Sequence, residues 1–182
     1  MGHLVLAQEA AAQLGLDEVL LVPAGNAPHK RIDPEPGKLV RLEMTELAAG
    51  EDQMTRASDL EVARDGPSYT FETLEALADR RPEDERWFLM GADIASSIEQ
   101  WREPARVLAL AGLGVAARAG TVLDEVEAAL ERLGGARWEV IGMPEIGISS
   151  TWVRRRVAQG RPIRHLVPDP VVDYIGERAL YR

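Results

Sequence analysis

The residues best suited to chemistry lie in the stretch Ile148-Ser149-Ser150-Thr151-Trp152-Val153-Arg154-Arg155-Arg156. Small hydroxyl residues are followed, within one or two helical turns, by three guanidinium groups. Ser149 and Ser150 are both good N-caps. A helix N-terminus presents unpaired backbone N–H groups and partial positive charge. Arg154 follows Ser150 by four residues, so it stands on the same face one turn on. Val153 and Val157 form a separate apolar pair that can dock the helix on a core, and Gly160 and Pro162 stop it. Such an arrangement suits a chain of phosphates. The plainer alternative is a capped surface helix with solvated arginines.

Other polar clusters are Pro23 to Arg31, which holds His29, Lys30 and Arg31, and Gly91-Ala92-Asp93. The formal net charge is −9, which argues against a dedicated nucleic-acid binder while leaving room for a nucleotide-sized anion at a local basic cluster. No cysteine is present, so thiolate nucleophiles and Cys-based metal sites are excluded; a cytoplasmic location is compatible with this. No apolar run reaches membrane-spanning length, and no metal-ligand spacing is evident.

The elements that must position these residues can be read in order. Leu4, Ala7, Ala11 and Leu14 give helical periodicity over 3–14, closed by Gly15. Residues 18–22 read as a buried strand and 38–49 as a helix. Residues 54–57 and 60–63 are weaker strand candidates. Ser68 or Thr70 can cap a helix ending near Arg80. A strand at 86–90 leads into a short helix bearing Ile94 and Ile98, with Trp101 in the loop after it. Then come a helix near 104–110, a strand at 113–117, a helix over 121–133 and a strand at 137–141. Asp169-Pro170 reads as an N-cap with proline at N1 of a terminal helix. Trp87 and Trp138 read as core, Arg155 as solvated, and His165 as a loop residue.

Strands alternate with helices through most of the chain, which predicts an α/β fold with a doubly wound, mostly parallel sheet. Without repeats or linkers, 1–182 reads as a single domain with a C-terminal helical segment at 149–182. In such sheets ligands bind beyond the carboxyl ends of the strands. Each polar cluster follows a predicted strand, which favours the phosphate reading over the plainer one.

Taken together, these segments resemble the bacterial nicotinate-nucleotide adenylyltransferases, of the nucleotidyltransferase superfamily marked by a His-x-Gly-His motif. Gly2-His3-Leu4 looks like the second half of that motif. Pro23 to Lys30 looks like the family's Pro-Pro-His-Lys loop, with Ala27 replacing its first proline. Arg41-Leu42-Glu43-Met44, Pro67-Ser68-Tyr69-Thr70, and Gly91-Ala92-Asp93 with Trp101 match further segments. Ile148 to Arg156 matches Ile-Ser-Ser-Thr-x-x-Arg-x-Arg, and Val167 to Arg182 is similar to the family's ending.

The resemblance implies a Rossmann-like fold and transfer of the adenylyl group of ATP to nicotinate mononucleotide, with Mg²⁺ carried mainly on the phosphates. His3 and Arg154 would be catalytic. ATP would be held by Gly2, His3, Gly91, Asp93, Ser149, Ser150, Thr151, Arg154 and Arg156. Lys30, Tyr69, Thr70 and Trp101 would hold the second nucleotide. The substrate's own phosphate is the nucleophile, so the protein needs cations and N–H donors rather than a nucleophile of its own.

Neither nucleic acid nor membrane is implied as a partner, and the oligomeric state, a homo-oligomer included, stays open. The family's chain normally begins upstream, with a strand, a Gly-rich turn and the first motif histidine. The natural chain is therefore expected to start earlier, and the first strand of the sheet to be missing here. Remaining alternatives are an adenylyltransferase for nicotinamide mononucleotide or phosphopantetheine, and a truncated non-catalytic nucleotide-binding remnant. The Ser-Tyr-Thr turn, the Trp101 segment and the C-terminal helix favour the nicotinate class.

Overall fold

The computed structural model describes residues 1–26, 35–50, 52–117 and 123–182. The elements run α1 (Gly2–Leu14), β1 (Val19–Leu21), α2 (Lys38–Ala49), β2 (Thr55–Ala57), α3 (Thr70–Arg80), β3 (Trp87–Gly91), α4 (Ala92–Ala95), a short 3-10 helix (Ile98–Gln100), α5 (Pro104–Leu110), β4 (Gly112–Ala117), α6 (Leu123–Arg132), β5 (Trp138–Gly142), α7 (Ser150–Ala158) and α8 (Asp169–Glu177). The alternation and the parallel pairing expected from the sequence are both present. β1 pairs with β2, and β4 lies between β3 and β5, all parallel. The register sets Trp87 beside Gly112 and Leu113 beside Trp138.

Contacts group the residues into two compact units. The first holds Met1–Val5, Leu16–Ser68 and Ile146–Arg182; the second holds Leu6–Gly15 and Tyr69–Glu145.

The core of the second unit follows from strand alternation. Leu113 and Val115 share one face of β4 and are fully buried against Ala95 and Ile98, and against Val126, Ala129 and Leu130 of α6. Burying each large aliphatic side chain contributes about 1.5–3 kcal/mol. Phe71 and Leu74 of α3 pack with Val107 of α5 in a second cluster. Outside the core, Arg132 donates to both carboxylate oxygens of Glu99, at 2.9 and 2.6 Å, which holds that carboxyl below its ordinary range. Gln13 pairs its side-chain amide with both backbone groups of Gly142, at 2.7 and 2.9 Å, and so finishes β5.

The first unit is built on Val153 of α7, Ile163, and Val171 and Ile175 of α8, with Met44 and Leu47 of α2 packed against them. Glu43 of α2 accepts hydrogen bonds from the Tyr174 hydroxyl and, at 3.3 Å, from Arg178, tying α2 to α8.

Four sequence expectations need correction. Residues 60–63 are a turn, in which the Ala63 N–H donates to the Asp59 carbonyl at 2.8 Å. Leu60 and Val62 supply the alternation that suggests a strand, and both are buried, but within this turn. Ser68 and Thr70 do not cap α3; its N-cap is Tyr69, without a side-chain bond. Asp169 is the first helical residue of α8 rather than its cap, and it pairs instead with Arg164 at 3.3 Å. Trp87 and Trp138 are only half-buried, Trp87 lying under the Arg137 guanidinium at 4.3 Å. His165 does lie in a loop, with its backbone at φ 66°.

Candidate active site

The first unit carries the phosphate-type residues. Ser149 caps α7 as its residue type predicts, its hydroxyl accepting the Trp152 N–H at 3.2 Å. The N–H groups of Ser150 and Thr151 lie in the first turn, where a helix offers no internal acceptor. Arg154 is half-buried and donates to the Thr151 hydroxyl at 3.2 Å, which aims the guanidinium along the helix toward that first turn. Arg155 is exposed. Arg156 turns the other way: it donates twice to the Pro162 carbonyl, at 3.0 and 2.8 Å, and its guanidinium stands 5.0 Å from the Trp152 ring. Its hydrogen bonds therefore hold the chain leaving α7. Gly2 and His3 open α1, with His3 exposed.

The loop after β1 is clamped from two sides. Arg41 of α2 donates to the carbonyls of Ala24 and Gly25, at 2.5 and 3.0 Å, and pairs with Glu35. Ser68 accepts the N–H groups of Gly25 and Asn26 at 3.0 and 3.1 Å. A side chain at Gly25 would put a carbon 2.0 Å from the Glu61 carbonyl oxygen, so the close passage requires glycine. This clamp fixes the entry to the basic segment; His29 and Lys30 themselves lie outside the described residues.

Tyr181 joins the same unit. It packs against the cluster around Val153 and Ile163. Burial pushes its phenol pKa up, opposed by the nearby charge of Arg154, while Glu35 raises it and Arg41 lowers it. The chain's ending thus lies beside the cation of α7.

The second unit carries the other set. Gly91 ends β3 and caps α4, and a side-chain carbon on it would fall 2.5 Å from Asp93 Oδ1. The Asp93 carboxylate lies over the bare Cα of Gly91 in this rotamer. Asp93 is exposed, near the carboxyl end of its strand. Tyr69 and Thr70 begin α3. Tyr69 stacks on Phe71 with centroids 6.1 Å apart, and the Arg102 guanidinium stands 5.6 Å from the Tyr69 ring. Trp101 meets Phe88 edge to face at 5.7 Å, so one part of its ring belongs to the core while the residue stays half-exposed.

Within the units, then, the predicted residues fall into a phosphate-type set (Ser149, Ser150, Thr151 and Arg154, with Gly2 and His3) and an aromatic and hydroxyl set (Tyr69, Thr70 and Trp101, with Gly91 and Asp93). Sequence reading gave no task to Ser68 beyond a cap, and none to Arg41, Arg102 or Tyr181. Arg41 and Tyr181 stand within matched segments; Arg102 directly follows Trp101. That adjacency was the available signal.

Residues 1–156 match the cytidylyltransferase-like family model. A Roseiflexus protein named probable nicotinate-nucleotide adenylyltransferase is 41% identical over 186 residues, covering 100% of this chain and 91% of its own. A Thermus thermophilus protein of the same name is 41% identical over 182 residues, covering 100% and 92%. The chain belongs to the nicotinate-nucleotide adenylyltransferase family. Its Rossmann-like nucleotidyltransferase fold agrees with a solved structure, Plasmodium falciparum nicotinic acid mononucleotide adenylyltransferase complexed with NaAD. That structure has a TM-score of 0.74 and 19% identity, with 99% of this chain and 89% of that one covered, and at that identity it speaks for the fold alone. As a nicotinate-nucleotide adenylyltransferase family member, the chain is an enzyme of the nucleotidyltransferase type. Among the described residues no helix is long and apolar enough to cross a membrane.

Proposed function

We propose that this chain transfers the adenylyl group of ATP to nicotinate mononucleotide. A phosphate oxygen of the mononucleotide forms a bond to the α-phosphorus of ATP. The bond from that phosphorus to the bridging oxygen breaks, and pyrophosphate leaves, giving nicotinate adenine dinucleotide. The observation that carries this reading is the full-length kinship with proteins of that name. The capped start of α7, with Arg154 braced on Thr151, supplies donors of the kind the reaction needs.

In this reading the α7 residues Ser149, Ser150 and Thr151 offer N–H and hydroxyl donors to the triphosphate. Arg154 neutralises charge that grows on the leaving pyrophosphate, as preorganised donors do in phosphoryl transfer. Gly2 lets the chain pass close to ATP, and His3 meets the α-phosphate. Arg156 contributes the field of its charge while its hydrogen bonds stay on Pro162. Gly91 and Asp93 take the ribose of ATP. Lys30 adds a cation for the second nucleotide, Trp101 stacks on its pyridine ring, and Tyr69 and Thr70 meet its carboxylate. The two compact units act as one domain spanning 1–182. A cytoplasmic location suits these substrates.

Mg²⁺ enters as the counter-ion of the ATP phosphates, where it would draw charge from the leaving group. Among the described residues no group of three or more His, Asp or Glu is placed to hold a metal, so substrate oxygens and water would supply its ligands.

The test is to incubate the purified chain with ATP, Mg²⁺ and each candidate acceptor. Equal yields of pyrophosphate and nicotinate adenine dinucleotide are expected with nicotinate mononucleotide. A preference for nicotinamide mononucleotide or phosphopantetheine would replace the substrate. Nucleotide binding with no pyrophosphate released would replace the enzyme with a binding protein.

A further inference from the structure

The chain ends in a costly backbone. After α8 the Leu180 N–H donates to the Ile175 carbonyl at 3.1 Å and the Ala179 N–H to the Gly176 carbonyl at 3.2 Å, a helix ending that usually places glycine at its left-handed position. Here alanine stands there, at φ 49°, and Tyr181 is left-handed again at φ 61°. Residues with a Cβ adopt that conformation only when something else offsets it. The offset is packing: Leu180 and Tyr181 both lie against the cluster of Val153, Ile163, Val171 and Ile175. The turn brings Tyr181 back to α7, whose Val153 immediately precedes Arg154.

Three charged groups act on the Tyr181 phenol: Arg154, Glu35 and Arg41. Glu35 is taken up by Arg41 and by the Gly37 N–H. No carboxylate among the described residues pairs with Arg154. The field at the phenol is therefore cationic on balance. Burial nevertheless dominates and raises the phenol pKa, so the hydroxyl keeps its proton at neutral pH. Tyr174, in the same unit, donates its hydroxyl to Glu43, whereas the Tyr181 hydroxyl has no hydrogen-bond partner among the described residues.

We propose that Tyr181 is a further binding residue for the pyrophosphate portion of ATP, its hydroxyl donating to a phosphate oxygen whose charge Arg154 balances. This rests on the reading that Arg154 meets the leaving pyrophosphate. A protonated phenol in a cationic setting lacks an acceptor, and an anionic oxygen suits both the phenol and the guanidinium near it. The hydroxyl adds direction without adding charge. Its ring is already anchored by packing, so little side-chain freedom is lost when the anion binds.

The experiment measures, by calorimetry with Mg²⁺ present, the binding of ATP, inorganic pyrophosphate and AMP to wild type, Tyr181→Phe, Tyr174→Phe, Arg154→Ala and the Tyr181→Phe/Arg154→Ala double variant. Tyr181→Phe keeps the packed ring and removes only the hydroxyl. It should weaken ATP and pyrophosphate about 10-fold, as for loss of one hydrogen bond to a charged group. AMP, which has no pyrophosphate portion, should bind as before, and the KM for nicotinate mononucleotide should not move. Tyr174→Phe should leave all three ligands unchanged. The double variant should lose less pyrophosphate affinity than the product of the single losses, because the two side chains share one anion. If Tyr181→Phe weakens AMP as much as ATP, or weakens none of them, the proposal is overturned while Arg154 keeps its place. If Arg154→Ala leaves pyrophosphate binding intact, the reading of Arg154 is overturned and this proposal with it.

Discussion

Asn26 and Ser68 exchange two hydrogen bonds: the Asn26 N–H donates to Ser68 Oγ at 3.1 Å, and the Ser68 N–H donates to the Asn26 carbonyl at 2.9 Å. The same hydroxyl accepts the Gly25 N–H at 3.0 Å. Ser68→Ala leaves the backbone bond but takes the acceptor from the part-buried Gly25 N–H, while the exposed Asn26 N–H turns to water, at a cost of about 0.5–1.5 kcal/mol. The urea midpoint should drop with the slope of the transition unchanged. An unshifted midpoint would show that the hydroxyl clamp contributes nothing to stability.

Gly25 makes a sharper test of the same loop. Gly25→Ala drives a carbon into the Glu61 carbonyl, which is backbone and can yield only by moving the chain. A loss of about 1–3 kcal/mol is expected, as for other overpacked sites. Gly147→Ala is the control, since nothing lies within 4 Å of the added carbon there. Its effect should stay within about 0.5 kcal/mol. Thermal unfolding of the pair tests the contrast, and equal shifts would contradict it.

Arg154 and Arg155 are adjacent cations with different surroundings, one half-buried against Thr151 and the other exposed. Arg154→Ala should lower kcat about 100- to 1,000-fold, as for removal of a donor from a developing oxyanion. Arg155→Ala should leave turnover nearly intact. Circular dichroism should show both variants folded. Similar turnover losses in the two would mean that total charge, not placement, drives catalysis.

Alkaline stability should reflect Tyr174. Burial, then the hydrogen bond to Glu43, raises its phenol pKa, with Arg178 opposing. Because the folded value lies above the unfolded one, the contribution is complete below about pH 10 and is lost as pH climbs through the folded value. Unfolding midpoints taken from about pH 8 to pH 11 should fall, and Tyr174→Phe should flatten the decline. An identical slope in that variant would exclude Tyr174 as the source.

Most element positions were legible because they rest on local periodicity. Leu113 and Val115 mark β4, and Ser149 with Gly160 bounds α7, through rules that act within a few residues. The errors came where tertiary contacts overrode local signals. Leu60 and Val62 alternate like a strand but are buried within a turn. Ser68 has the residue type of a cap, yet its hydroxyl is taken by N–H groups more than forty positions away in sequence. The partners of Arg41 and the setting of Tyr181 depend on how α2, α7 and α8 pack, which no spacing encodes. The aromatic seat of Arg102 likewise appears only once α3 and the turn before α5 are placed together.

The stacked pair of Trp152 and Arg156 also makes α7 optically self-reporting. Trp152 is 39% exposed, three residues past the Ser149 cap, with a guanidinium over its ring. Indole emission responds to local electric field and to water. An anion drawn to the start of this helix should therefore shift the Trp152 signal before any turnover occurs. With Trp87, Trp101 and Trp138 changed to phenylalanine, titration by emission wavelength alone would follow occupancy of the helix N-terminus, without a dye or a coupled enzyme.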